Sequence, residues 1–479
     1  MIDTEAIKTR ILDFAMHGKL TKQVSEDGIA EDLYCLIQEE KKKKSKTKKN
    51  KTAVISEDEI LFDIPDSWKW VHLDDIASSM LGKTLNKSTD KGENCPYLCS
   101  INVYWDGISL ENVKQAKFDI ASKEKYRLEK GDLLICEGGD SGRSAVWNGD
   151  EEMYYQNALH RVRFYGGINP YYFCRVFEYY KKTGIIANYT TGIGIQHLVQ
   201  NSLNLIWLPL PPISEQERIV ERIDEIFETL DKIDHLQNQY ASNQEALKSK
   251  LIDAAIQGKL TEQLPEDGTA DALYHSILEE KQLLIKAGKL KKEKSLPEII
   301  EDEIPFEIPD NWRWVRISDV IDVRDGTHDS PKYHDEGIPL VTSKNISSGK
   351  LIFEDVKLIS MDDAQKINER SYVDDGDILF AMIGSIGNPV IVHKDREFCI
   401  KNVALFKNFA PMHISMDYFY WFLMHEQFVL RKNAIGGLQP FVSLKVFRSH
   451  LMPLPPMSEQ IRIAERLYEL EDVVLEQEK

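Results

Sequence analysis

An internal repeat constrains this chain more than any other feature. ILDFAMHGKLTKQVSEDGIAEDLYCLIQEEK at 11–41 returns as LIDAAIQGKLTEQLPEDGTADALYHSILEEK at 251–281. EDEILFDIPDSWKWVHLDDI at 57–76 returns as EDEIPFEIPDNWRWVRISDV at 301–320, and WLPLPPISEQERIVERI at 207–223 as LMPLPPMSEQIRIAERL at 451–467. Between these anchors only isolated landmarks align, such as GDLL at 131–134 with GDIL at 376–379. A chain of 479 residues exceeds one ordinary core, and the repeat divides it into two units. Each unit holds a shared scaffold around a divergent middle of roughly 140 residues, the size of one domain. That arrangement suits one job done twice on two different targets. Neutral drift of a duplicated domain would not spare the flanks so selectively.

The stretch between Pro212 and Gly258 contains neither proline nor glycine. Ser214 suits a helix start, with Glu215 and Glu217 near the positive end of the dipole, and Gly258 suits the stop. Ile219, Ile223, Ile226, Leu230, Ile233, Tyr240, Leu247, Leu251 and Ala254 fall on an alternating 4-3 stripe, interrupted by Gln237 and Gln244. This predicts a coiled-coil helix roughly 65–70 Å long, with the glutamines setting register. Its second copy is cut by the chain ends. Ile463, Leu467 and Leu470 repeat the start of the stripe, and Ile7 and Ile11 its end. The expectation is a closed pseudo-two-fold ring in which two antiparallel helices hold two globular blocks apart. The predicted segments are 1–20 (part of the second long helix), 21–67 (helix and Lys-rich linker), 68–212 (first block), 213–260 (central long helix), 261–311 (helix and linker), 312–456 (second block) and 457–479 (distal long helix).

Net charge is −18, which at first argues against nucleic acid. The distribution matters more. From Trp68 to Trp207 there are 16 basic and 16 acidic residues, and from Trp312 to Leu451 there are 17 and 18. The blocks are neutral, and the acidic excess lies on the flanks, as expected of solvated or partner-facing helices. KKKKSKTKKNK at 41–51 has no apolar period and reads as a linker. The six cysteines lack metal-ligand spacing and fit a reducing, cytoplasmic setting. No apolar run reaches membrane-spanning length, and the N-terminus has no signal-peptide pattern.

Each block opens on a Trp-x-Trp-Val strand at 68–71 and 312–315. Each contains two strands joined by a glycine-rich turn, GDLLICEGGDSGRSAVW at 131–147 and GDILFAMIGSIGNPVIV at 376–392. An amphipathic helix follows, then a glycine-rich loop, TTGIGIQ at 190–196 or AIGGLQP at 434–440, and the PLPP turn that launches the long helix. The fold class is mixed α/β, or α+β: two pseudo-two-fold related blocks separated by two long antiparallel coiled-coil helices.

Two divergent blocks, each ended by PLPP-x-SEQ-x-RI and a long helix, resemble the specificity subunit of type I restriction–modification enzymes over nearly the whole chain. The resemblance implies that each block is a target recognition domain reading half of a split double-stranded DNA sequence. It implies that the helices dock two methyltransferase subunits, and that restriction/translocase subunits join through them. S-adenosylmethionine, ATP and magnesium would then belong to those partners, with no cofactor or metal in this chain.

Candidate base readers are polar or basic residues on glycine-rich turns and neighbouring loops, where glycine lets backbone approach the duplex and Arg, Lys, Asn and Gln match base edges. In the first block these are Asn102, Arg143, Arg161, Thr190, Thr191 and Gln196. In the second they are Lys344, Asn345, Ser385, Lys401, Gln439 and Lys445. The partner-docking seam comprises Ile219, Ile223, Ile226, Leu230, Ile233, Leu247, Leu251, Ile463, Leu467, Leu470, Ile7 and Ile11.

Catalytic motifs are wanting. INPYYF at 168–173 comes nearest to a methyltransferase loop but lacks the second proline. There is no GxxxxGK[ST], and EGGDSGR at 137–143 lies between strands rather than before a helix. His328 and His334 show no metal spacing. The chain therefore reads as non-catalytic. The alternative is a subunit of another DNA modification enzyme with its own methyltransferase or nuclease activity.

Overall fold

The computed structural model describes residues 1–44, 59–192, 194, 196–436 and 440–476. Residues 45–51 of the Lys-rich segment and Gln439 lie outside these. The chain divides into two units, Met1–Asn238 and Gln239–Lys479. Helix α1 (Thr4–Met16), helix α2 (Pro170–Lys182) and the first part of α3 (Ile213–Ile256) belong to the first unit. The remainder of α3, helix α4 (Met416–Lys432) and helix α5 (Met457–Glu476) belong to the second.

The two units repeat one sheet topology. A four-stranded antiparallel sheet runs Ala77–Leu81, Leu159–Phe164, Leu133–Cys136, Ser144–Val146 in spatial order, and its counterpart runs Asp322–Asp325, Val403–Lys407, Ile378–Ala381, Gly387–Ile391. The glycine-rich segments thus form the hairpin at one sheet edge. Helix α2 is capped by Asn169, whose side chain accepts from the Tyr171 amide, and buries Tyr172, Phe173, Val176, Phe177 and Tyr180. This 3.6-residue spacing seats one face on the core. Helix α4 does the same with Ser415 as cap and Tyr418, Phe419, Phe422 and Leu423 buried.

The repeated sequence signature has a physical explanation. The Trp-x-Trp strand pairs antiparallel with the PLPP strand, Trp70 opposite Pro209 and Trp314 opposite Pro453. The Glu and Gln of SEQ are completely buried in both units. Glu215 accepts from Trp68 Nε1 at 2.8 Å, and Glu459 accepts from Trp312 Nε1 at 2.8 Å. Gln216 accepts from the Asn169 amide and donates to the Pro211 carbonyl; Gln460 accepts from the Ser415 amide and donates to Pro455. Arg218 and Arg462 pair with Asp27 and Asp267, tying back the segments of 20–28 and 260–268. A buried polar group must be fully partnered, so these residue types cannot drift independently. Helix α3 begins at Ile213, which places Ser214 inside the first turn rather than at the cap.

Helix α1 runs antiparallel along the first part of α3, with the Ile2 amide donating to Gln237, Thr4 to Asp234 and Lys8 to Asp231. In the second unit, Lys248 of α3 pairs with Glu471 of α5. The seam expectation needs correction in its detail. Ile219, Ile223, Leu230, Ile463 and Leu467 are buried, and Ile11, Ile226, Ile233, Leu251 and Leu470 are half-buried. Leu247 and Ile7, however, are exposed at 49% and 38%, as is Tyr240. The buried positions near the helix ends are instead Leu12, Ala15, Met16 and Ile252, Ala255, Ile256. Two causes act together. A strict 3.5-residue stripe slips by about 20° per heptad against a 3.6-residue helix. The final turns also pack into the core of their own unit, which selects a different face.

Candidate nucleic-acid interface

Each sheet edge carries the same device. The first unit's glycine turn (137–142) is met by the loop 190–197. His197 pairs through its backbone with both Gly138 and Thr191, the Leu198 amide donates to the Glu137 carbonyl at 2.7 Å, and Ser141 Oγ donates to the Gln196 carbonyl. His197 Nδ1 lies 3.0 Å from Glu137 Oε2. A Cβ on Gly138 would stand 2.9 Å from the imidazole, so a side chain at this rung would displace the His197 ring. In the second unit Phe441 pairs with both Ile383 and Ile435, and the Val442 amide donates to Met382 at 3.0 Å.

The structure sorts the sequence candidates by what their side chains already hold. Asn102 and Asn345 already spend their side-chain amides on their own turns. Asn102 is 1% exposed, accepts from the Cys99 amide and donates to the Ser109 carbonyl. Asn345 accepts from the Thr342 amide and donates to Ile352. Both amides brace the turn after a strand, a role that the residue type alone does not distinguish from base reading. Arg143 is half-buried. It donates to the Ser100 carbonyl at 2.9 Å, pairs with Asp140 at 3.1 Å and lies over the Tyr104 ring, so it braces the glycine turn. Arg161 lies over Tyr155 and points toward the Lys125 and Arg127 carbonyls.

Thr190, Thr191 and Gln196 do come together. Thr190 Oγ1 donates to Gln196 Oε1 at 2.9 Å, and Gln196 donates to the Gly192 carbonyl, within an exposed or half-exposed loop. Ser385 is exposed at the tip of the second glycine turn; Lys344 is exposed on the turn Ser343–Ile346, and Lys445 on the short helix Leu444–Ser449. Lys401 donates to Ser330 Oγ at 2.5 Å.

Sequence reasoning missed two polar clusters of the second unit. Asp325, 5% exposed, accepts from His328 and Arg370 beside a cleft of about 310 Å3 lined by Thr327, Asp329, Ser330, Asp363, Lys366 and Arg370. The other links Asp253 of α3 to His425, Glu426 and His450 at 3.1, 2.7 and 2.8 Å in turn. Burial opposes ionisation of Glu426, but the two histidines outweigh it and bring its carboxyl down to about 2. Burial likewise opposes charge on His425, while Glu426 and Asp253 raise its pKa overall. His334 is exposed on the short strand Tyr333–His334. Among the described residues no cluster could hold a metal ion, and no helix is long and apolar enough to cross a membrane.

The type I restriction modification DNA specificity domain matches residues 65–239 and again 309–479. The chain belongs to this DNA specificity family. Its relatives include the specificity subunits of the type I restriction enzymes EcoAI from Escherichia coli, 27% identical over 97% of this chain and 88% of the relative, and MjaVIII from Methanocaldococcus jannaschii, 23% identical over 86% and 88%. A chain solved in a study of complex assembly and conformational transition of the type I restriction–modification system shares the fold, with a TM-score of 0.56, 16% identity and coverage of 87% and 93%. Each family match spans one four-stranded antiparallel sheet, one glycine-turn device and the start of one PLPP-launched helix.

Proposed function

We propose that this chain is the non-catalytic DNA-reading subunit of a type I restriction–modification complex, and that each unit reads one half of a bipartite duplex target. The observation that carries this reading is the pairing of an invariant frame with a divergent head. The buried Trp–Glu–Gln–Arg network is the same in both units, whereas the turn and loop it supports differ in nearly every side chain. A frame kept constant under different heads holds two readers in one geometry while their targets differ. The exposed faces of the helices, with their acidic excess, serve as docking surfaces for two methyltransferase subunits and through them for restriction/translocase subunits. S-adenosylmethionine, ATP and magnesium chemistry resides on those partners, in the cytoplasm.

The deciding experiment replaces 68–207 with the same block of a relative in the co-purified complex and maps the modified sequence. One half of the target changes and the other is retained. A swap that alters both halves, or neither, rules out the two-reader reading. Turnover by the pure chain with S-adenosylmethionine, or with ATP and magnesium, would rule out the non-catalytic assignment.

A further inference from the structure

We propose that the ladder Ile383–Phe441–Ile435, exposed at Phe441 and Ile435, is an apolar reader that contacts a thymine methyl group in the half-site of the second unit. This rests on the DNA-reading function proposed above and assigns residues and base chemistry within it.

The backbone of the ladder is the same in both units. Thr191 and His197 exchange two hydrogen bonds, 2.9 and 2.8 Å, as do Ile435 and Phe441, 3.0 and 2.9 Å. In each unit the third rung is a glycine-turn residue, Gly138 or Ile383. Directly paired residues in an antiparallel ladder project their side chains to one face. That face is therefore Gly–His–Thr in the first unit and Ile–Phe–Ile in the second. Because the first unit holds the same backbone without apolar side chains, the fold does not demand them. Ile383 is anchored against the core, but Phe441 remains 42% exposed and Ile435 66% exposed. Their backbone polar groups are used on each other, so at these positions the ladder presents apolar surface alone.

On a base-pair edge in the major groove the thymine C5-methyl is the apolar feature, and Phe and other apolar side chains read it by contact. The polar ladder of the first unit, with its imidazole and hydroxyl, suits donor or acceptor groups instead. The two heads thus differ in the chemistry of what they read.

The test uses the full chain in its co-purified complex, with the target defined by the sequence the complex modifies. Duplexes carry uracil in place of each thymine of the second half-site in turn, which deletes only a methyl group. One such replacement is expected to weaken binding ~3- to 10-fold, the value of a buried methyl. Phe441→Ala should remove the difference between thymine and uracil at that one position, and Phe441→Leu should restore it. His197→Ala should affect the first half-site only. Equal binding of every uracil duplex overturns the proposal, as does a second half-site lacking thymine on both strands. So does a Phe441→Ala variant that weakens all sequences uniformly, which would indicate a wedge or a non-specific contact. A wild-type complex with no sequence preference overturns the DNA-reading function itself, an outcome distinct from all of these.

Discussion

Replacing Leu230 by Asp and, separately, Leu247 by Asp discriminates between two faces of the same helix. Both residues lie on one 4-3 stripe, yet Leu230 is 6% exposed within the first unit's core and Leu247 is 49% exposed. Removing a buried leucine side chain costs about 2–5 kcal/mol, and leaving an unpaired carboxylate in its place adds several more. For a unit of this size each kcal/mol moves the melting temperature by about 2–4 °C. Leu230→Asp is therefore expected to lower it by at least ~8 °C, or to abolish folding of the first unit. Leu230→Ala, at about 3 kcal/mol, should lower it by roughly 6–12 °C and keep the variant folded. Leu247→Asp should shift it by no more than ~2 °C, because surface substitutions stay within about 0.5 kcal/mol. Differential scanning calorimetry of the full chain measures all three. Equal losses at 230 and 247 would refute the assigned face and restore the strict heptad seam.

Other tests address the buried networks and the heads. Trp68→Phe deprives the Glu215 carboxylate of its indole donor and should cost about 1–3 kcal/mol; Trp312→Phe should cost the same through Glu459, and double-mutant calorimetry checks that the two effects add. Glu426, depressed to about 2, contributes stability that is fully present above the usual carboxylate range and is lost progressively as pH falls from there toward 2, up to ~3 kcal/mol. His425, raised, contributes stability that is present below its ordinary pKa and lost as pH rises past the raised value. His425→Phe should therefore flatten the melting temperature against pH on both sides of a maximum between about pH 4.5 and 6.5; an unchanged profile would exclude the coupling. Lys344→Ala, at an exposed position, should weaken all sequences alike and reduce the salt slope of binding by about one if it meets phosphate. Arg143→Ala should lower thermal stability as well as specificity, since the guanidinium braces Ser100 and Asp140; lost specificity with unchanged stability would assign it to base reading alone.

The duplication, the mixed α/β blocks, the hairpin around each glycine turn, the long helix and the family are all written in the amino-acid order. These are legible because they rest on local period, turn chemistry and the requirement that buried polar groups keep their partners. The repeated SEQ-x-R signature survives in both copies because Glu215, Gln216, Arg218 and their counterparts each answer to several backbone and side-chain partners at once. Tertiary structure decided which face of α3 is buried, because helical phase near the ends is set by the core of the unit rather than by the stripe. It also decided that Asn102 and Asn345 serve their own turns. An asparagine suited to a base edge is chemically identical to one suited to a backbone amide, and only the position of Cys99 or Thr342 distinguishes the two. The pairing of Phe441 with Ile383 and Ile435 lies across more than fifty residues of sequence on one side and a short loop on the other. No periodicity connects such positions; the folded sheet edge alone brings them onto one face.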